Sequence, residues 1–265
     1  MRSLLFPLLC LSAASLVVSC GTTVDPSEPD ALVVQAYLYY GAASQTVEVV
    51  RPAPLNTSGQ GRPVTDARVL LRRLPAEEDE DVHEPRVLFQ PHPTVPGLYQ
   101  SAPGTVTLVE GGLYQLEVDD GEQRVEATTT VPPAPEAIAT EPAVPTLTLP
   151  RLTPDILDED ALTVSWGGPP DVPYLIQVSH AETDTLTFVS SILWDGPGEV
   201  LHEAFPASGL YHVCLYRSTF DLITFDRARP ARRLYLAPSN VEGGFGVVAA
   251  LHGTCMPTTV QRPDA

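Results

Sequence analysis

Leu113-Tyr114-Gln115-Leu116-Glu117-Val118, Asp119-Asp120-Gly121-Glu122 and Gln123-Arg124-Val125-Glu126-Ala127-Thr128-Thr129-Thr130 follow one another without a break. The two outer runs alternate apolar and polar residues, the period that buries one face of a strand. The acidic tetrapeptide between them contains Asp-Gly, whose glycine accepts the positive φ of a tight turn. The stretch therefore predicts an antiparallel hairpin. Immediately beyond it, Pro132-Pro133-Ala134-Pro135 ends the ladder, because proline has no N–H to contribute. A hairpin closed by a proline cluster predicts a domain joint, with one domain over 31–131 and a second over 132–265.

On the N-terminal side of the hairpin, the β-rich runs Leu32–Tyr39 and Gln45–Val50 flank Gly41-Ala42-Ala43-Ser44, a hairpin by composition. Val64–Leu71 predicts a third strand, and Arg86–Gln90, Gly97–Gln100 and Thr105–Val109 predict shorter ones. On the C-terminal side, 136–160 is expected to run along a sheet edge. Leu162–Trp166, Gly167-Gly168-Pro169-Pro170 and Tyr174–Val178 resemble two successive strands of a fibronectin type III sandwich. Leu186–Leu193, Gly209–Tyr216, Arg233–Leu236 and a last strand Gly246–Leu251 complete the pattern, with Phe220–Arg229 as one place for a short helix. The expected fold class is all-β, two antiparallel Ig-like or fibronectin-like β-sandwich domains in tandem.

The N-terminus speaks of location. Arg2, an apolar run from Leu4 to Val18, and Val17-Val18-Ser19-Cys20 form a lipobox. Residues 1–19 read as a lipoprotein signal peptide, too short to span a bilayer. Cys20 is the expected lipidation site, and two or three acyl chains there, palmitate among them, would anchor stably. Residues 20–30, polar and acidic with two prolines, read as a flexible tether. The expected location is the outer membrane, lipid-anchored on its periplasmic or cell-surface face.

In an exported chain Cys214 and Cys255 are a disulfide candidate. Closing a loop of roughly forty residues would stabilise by about 4 kcal/mol in the chain-entropy picture. Reduction is then expected to lower the melting temperature of the second domain and spare the first.

Among 265 residues, arginine alone fills the basic positions and the formal net charge is −18. Such a balance repels phosphate backbones, so nucleic acid is not expected as a partner. It suits either a strongly hydrated surface adapted to high salt or the codon usage of a GC-rich genome, and both readings stay open.

Catalytic signatures are missing where they would have to be. A phosphate-binding loop and a Ser-x-x-Lys pair each need a lysine, and the chain has none. No G-x-S-x-G is present. His202-Glu203-Ala204-Phe205-Pro206 lacks the second histidine of a zinc-protease helix and contains a helix-breaking proline. His83, His92, His180, His202, His212 and His252 show no metal spacing, and the acidic run Glu77–Glu84 lacks the glycine of a calcium loop. No catalytic residue, metal or cofactor is expected, and the sequence names no small-molecule ligand. Gly243-Gly244-Phe245-Gly246 reads as a turn into the last strand rather than a ligand loop. Tyr37, Tyr39 and Tyr40 read as core rather than as an exposed aromatic stripe, since Tyr37 and Tyr39 share a strand face.

Leu32–Ala36, Val64–Leu70, Gly97–Tyr99, Gly112–Val118, Thr130–Pro133 and Ser239–Gly246 occur in an order that resembles the family DUF4249. That resemblance implies an outer-membrane-associated lipoprotein of Bacteroidota or their relatives, acting beside a TonB-dependent receptor. It carries over no catalytic residue. The acidity and the absence of lysine depart from the family pattern and bear on the host more than on the fold. The expected function is thus a non-enzymatic cell-envelope lipoprotein, an accessory or binding partner of an outer-membrane β-barrel transporter or surface assembly. The alternative is an adhesive surface protein recognising glycan or another cell, and a hydrolase comes third.

Overall fold

The computed structural model describes residues 31–52, 61–75, 86–143, 146–150, 153, 155–156, 159–169, 172–183, 185–190, 193, 197–219 and 239–263. Cys20, the tether, the acidic run Glu77–Glu84, Phe220–Arg229 and Arg233–Leu236 lie outside them. The described chain is all-β with large antiparallel sheets. In order come β1 (Val33–Tyr39), β2 (Thr46–Arg51), β3 (Arg62–Pro63), β4 (Arg68–Arg73), β5 (Val87–Pro91), β6 (Leu98–Gln100), β7 (Leu113–Asp119) and β8 (Arg124–Thr130). They are followed by β9 (Glu136–Glu141), β10 (Thr146–Thr148), β11 (Asp160–Gly167), β12 (Tyr174–His180), β13 (Thr185–Val189) and β14 (Gly198–Leu201). A 3-10 turn η1 (His202–Ala204), β15 (Gly209–Ser218), β16 (Val241–Glu242) and β17 (Phe245–Gln261) complete the chain.

The hairpin forms where it is expected. β7 and β8 pair from Leu113↔Thr130 to Asp119↔Arg124, and the Asp120 N–H donates to Gln123 O across the turn. Alternation is converted directly into packing: Tyr114, Leu116, Val118, Val125 and Ala127 enter a first hydrophobic cluster together with Val34, Leu38, Val69 and Tyr99. Each fully buried Leu or Val side chain contributes about 1.5–3 kcal/mol. Tyr99 is fully buried because its hydroxyl is satisfied, donating to Val64 O at 3.0 Å and accepting from the Ala67 N–H at 2.8 Å.

Thr105–Val109 is not a strand. Its backbone is met by a side chain instead, the Tyr114 hydroxyl donating to Thr107 O and accepting from the Val109 N–H.

A second cluster lies between a three-stranded sheet, ordered β14-β11-β9, and the strands β13-β12-β15-β17. Val164, Ile176, Val178, Phe205, Tyr211, Val213, Leu215 and Val260 form it. β9 is at the edge of the small sheet and β10 runs parallel to the end of β17, so these two strands of the 136–160 segment follow edges.

The last strand is the main departure from expectation. It runs from Phe245 to Gln261, far beyond the expected Leu251. Its first part pairs in parallel with β1, from Val33↔Phe245 to Tyr39↔Leu251. Its remainder pairs antiparallel with β15, from Ser218↔Leu251 to Gly209↔Val260. Val248 and Ala250 therefore sit in the first cluster and Val260 in the second. One strand serves two cores, and a single sheet runs β13-β12-β15-β17-β1-β2-β6-β5-β4-β7-β8-β16.

Candidate functional site

The glycines after β16 have a structural task. Gly246 has φ +122°, and a Cβ there would lie 1.8 Å from Val34 O; one on Gly244 would lie 2.8 Å from Leu32 O. Only hydrogen in place of a side chain lets β17 come alongside β1 this closely. Asn240 acts with them. Its Nδ2 donates to Val248 O at 2.8 Å and to Thr128 O at 3.3 Å, while its Oδ1 accepts from the Val248 N–H at 3.0 Å. Thr129 Oγ1 accepts from the Ala250 N–H at 3.1 Å. These side chains bridge β8 to β17, so the first core is drawn closed around its cluster by bonds that a strand ladder would otherwise supply. Gln123 from the hairpin turn adds a further tie, accepting from the Leu32 N–H and donating to Gly243 O.

The turn itself is latched to β2. Arg51, 8% exposed, reaches Asp120 and also Glu122 at 3.1 Å. Burial raises the Asp120 pKa, but the Gln123 and Glu122 N–H groups and the Arg51 guanidinium outweigh it, and the carboxyl is held below its ordinary value.

Where β17 passes from one core to the other, groups from four segments meet. The ring of His252 is buried, and its Nδ1 stands 3.0 Å from Pro132 O. A carbonyl can only accept, so Nδ1 carries the proton. Glu110 Oε2 lies 3.7 Å from the same nitrogen, and Tyr40 stacks on the ring with centroids 3.8 Å apart. Arg217 is the residue opposite His252 in the β15–β17 register. On the other face of the sheet, Tyr37, Tyr39 and Tyr216 pack on Leu175, Val247, Ala249 and Leu251. Tyr39 accepts a bond from Gln177 Nε2 at 3.0 Å; burial raises its pKa and this bond partly offsets the rise. Tyr37 and Tyr39 are thus partly buried, against this junction rather than in the first core. Tyr40 is 41% exposed and covers His252. The seam is a packed joint.

Cys214 and Cys255 are opposite one another in β15 and β17 and are joined by a disulfide with Cα atoms 3.9 Å apart. It fastens the second half of β17 to β15. A second fastening closes the C-terminus, where Arg262 donates to Phe205 O and His202 O and also reaches Pro150 O. His202 beneath it is buried, and burial together with the Arg262 charge lowers its pKa against the opposing pull of Glu159 and Asp160. The His202 Nδ1 is buried without a hydrogen-bond partner among the described residues.

Hollows are small. One of about 240 Å³ lies under the loop His92–Gly97 and another of about 220 Å³ lies between Arg73 and Thr107. Among the described residues no group of three or more His, Cys, Asp or Glu is placed to hold a metal, and no helix is long and apolar enough to cross a membrane. Asn240 and Gln123 are the positioning residues that sequence reasoning missed. The only signal for them was their place beside a glycine cluster and in a hairpin turn.

Fold and seam together define an all-β protein whose last strand joins two cores. Residues 21–187 match the family described as Domain of unknown function (DUF4249), and the chain belongs to that family. No curated protein matches it. Among solved structures, a chain from "Cytokine receptor complex - Crystal form 1A" is 17% identical with TM-score 0.27, covering 85% of this chain and 95% of that one. A second, "Crystal structure of domains A168-A170 from titin", is 11% identical with TM-score 0.23, covering 87% and 67%.

Proposed function

We propose that this chain is a non-enzymatic cell-envelope lipoprotein that presents a rigid binding surface to an outer-membrane β-barrel transporter or surface assembly. The observation that carries this reading is the shared strand. With β17 in both cores, the sheet continues from β13 to β16, and a partner gripping one end is coupled to the other. A tether at Cys20 would hold such an arm near its membrane. We also read the second core as a fibronectin-like sandwich following a first sandwich in tandem. Support comes from the β14-β11-β9 sheet packed against β13-β12-β15-β17, and from Tyr211, whose hydroxyl donates to Ala207 O at 3.0 Å and so ties strand to corner.

Co-purification tests the reading. The full chain, cross-linked in intact cells and extracted from solubilised outer membranes, is expected to bring down a β-barrel protein. Recovery of glycan or of another cell's surface protein in its place would favour the adhesive alternative. A Cys20→Ala protein that still takes up a fatty-acid label would remove the anchor from the account.

A further inference from the structure

We propose that β13, one end of the continuous sheet, is a docking strand that takes an extended, basic segment of a partner protein. Exposed edge strands offer unpaired N–H and C=O groups, and proteins guard them with charge, proline, brevity or a bulge, of which β13 carries only the bulge at Thr187. The other described ends follow this rule. β16 is two residues long and contains Glu242, β10 is three residues long, β3 is Arg62-Pro63, β9 is bounded by Glu136 and Glu141, and β14 contains Glu199. By contrast β13 is Thr185-Leu186-Thr187-Phe188-Val189, without charge or proline and rich in strand-forming residues.

Leu186 and Val189 are 52% and 48% exposed, the highest values among the large apolar residues of the described chain. One irregularity interrupts the strand: pairing shifts between Val178 and Ser179, and Thr187 Oγ1 donates to Val178 O at 3.1 Å. It leaves Phe188 and Val189 in register with Val178 and Gln177, so the inner side of the strand is held, while no described strand pairs with its outer side.

Charge selects the occupant. Exposed Glu182 lies just before β13, and exposed Glu203 sits on η1, which packs against β13. A second copy of this chain would bring its own −18 to the same place. A segment of alternating β-branched and basic residues would instead add a strand through its backbone and meet both carboxylates. Because an edge needs a partner, this assignment rests on the binding-surface reading. The two are separable, since a peptide probes the edge and co-purification probes the partner.

The probe is an eight-residue peptide, Arg-Thr-Val-Arg-Val-Thr-Val-Arg, with one control bearing Glu for Arg and another with a central proline. Added to the full-length protein in detergent, the basic peptide is expected to bind and to slow amide exchange over 185–189. The proline control should not bind, and the acidic one should bind at least about tenfold more weakly. Leu186→Lys with Val189→Lys should weaken the basic peptide by a similar factor while the thermal transition is kept. Absence of binding, binding with protection elsewhere, or equal binding of the acidic peptide would overturn the proposal. So would self-association lost in the double variant, which would make the occupant a second copy. Exchange in the unaltered protein decides the question even if the variant fails to fold.

Discussion

From Phe245 to His252 every residue of β17 is buried, whereas from Gly253 to Gln261 buried and exposed positions mix. The first stretch has the first core on one face and the tyrosine-lined junction on the other, with β1 beside it in parallel. A strand covered on both faces reads as a continuous apolar run, here Val247-Val248-Ala249-Ala250-Leu251. The second stretch has one covered face and tolerates Cys255 and Pro257. Pro257 falls between the pairing with β1, which ends at Leu251, and the pairing with β10, which begins at Thr259. There β17 has a partner on one side only among the described residues, the place where a missing N–H costs least. The two halves differ in what surrounds them, and together they couple cores that the sequence alone separates at Pro132.

That difference orders the expected effects. Gly246→Ala should be the most damaging change, because a Cβ meets Val34 O at 1.8 Å in a backbone conformation that disfavours side chains. A loss of more than about 4 kcal/mol is expected, read as collapse of soluble yield or of the thermal transition. Near-normal stability would mean that the parallel pairing is not as close as described.

Reducing Cys214–Cys255 should cost up to about 4 kcal/mol. With β17 shared, it should loosen the first core as well as the second, unlike the selective effect expected from two separate domains. Calorimetry with and without reductant distinguishes the two outcomes. Asn240→Ala strips partners from Val248 and Thr128 and is expected to cost about 2–3 kcal/mol in urea unfolding.

The smallest of these effects belongs to Asp120. Its folded pKa lies below the unfolded one, so its stabilisation is complete above the ordinary carboxylate value and is lost as pH falls through the lower folded value. Asp120→Asn should flatten the acid limb of the stability curve; an unchanged acid limb would disconnect the Arg51 latch from stability.

Local signals were legible. The hairpin at Asp119–Arg124 follows from alternation and Asp-Gly, both contained within a few residues. β11, β12, β13 and β15 fall on expected runs for the same reason, whereas β14 was not among the expected strands. What stayed hidden is nonlocal. Pairing of β1 with β17 joins opposite ends of the chain, and no pattern in Val33–Tyr39 announces its partner. The second half of β17 runs through Gly253 and Pro257, residue types that weaken a strand pattern, and the expected strand stopped short of them at Leu251. Asn240 works through its side chain at positions distant in sequence, and Thr105–Val109 has strand composition but gives its backbone to the Tyr114 hydroxyl. The glycines were read as a turn into the last strand, and the close approach to β1 adds the reason why no other residue serves there.

The coupling of the two cores through β17 is tested most directly by Leu116→Ala. Leu116 is 1% exposed in the first core, on a strand that does not pair with β17, and its truncation should cost about 2–5 kcal/mol. Trp166 packs against the second core, so its fluorescence, read in a Trp194→Phe background, reports on that core. Coupled cores require the tryptophan transition in urea to shift to lower denaturant together with the circular dichroism transition. A tryptophan midpoint unmoved by Leu116→Ala, while circular dichroism reports a destabilised first core, would contradict the account.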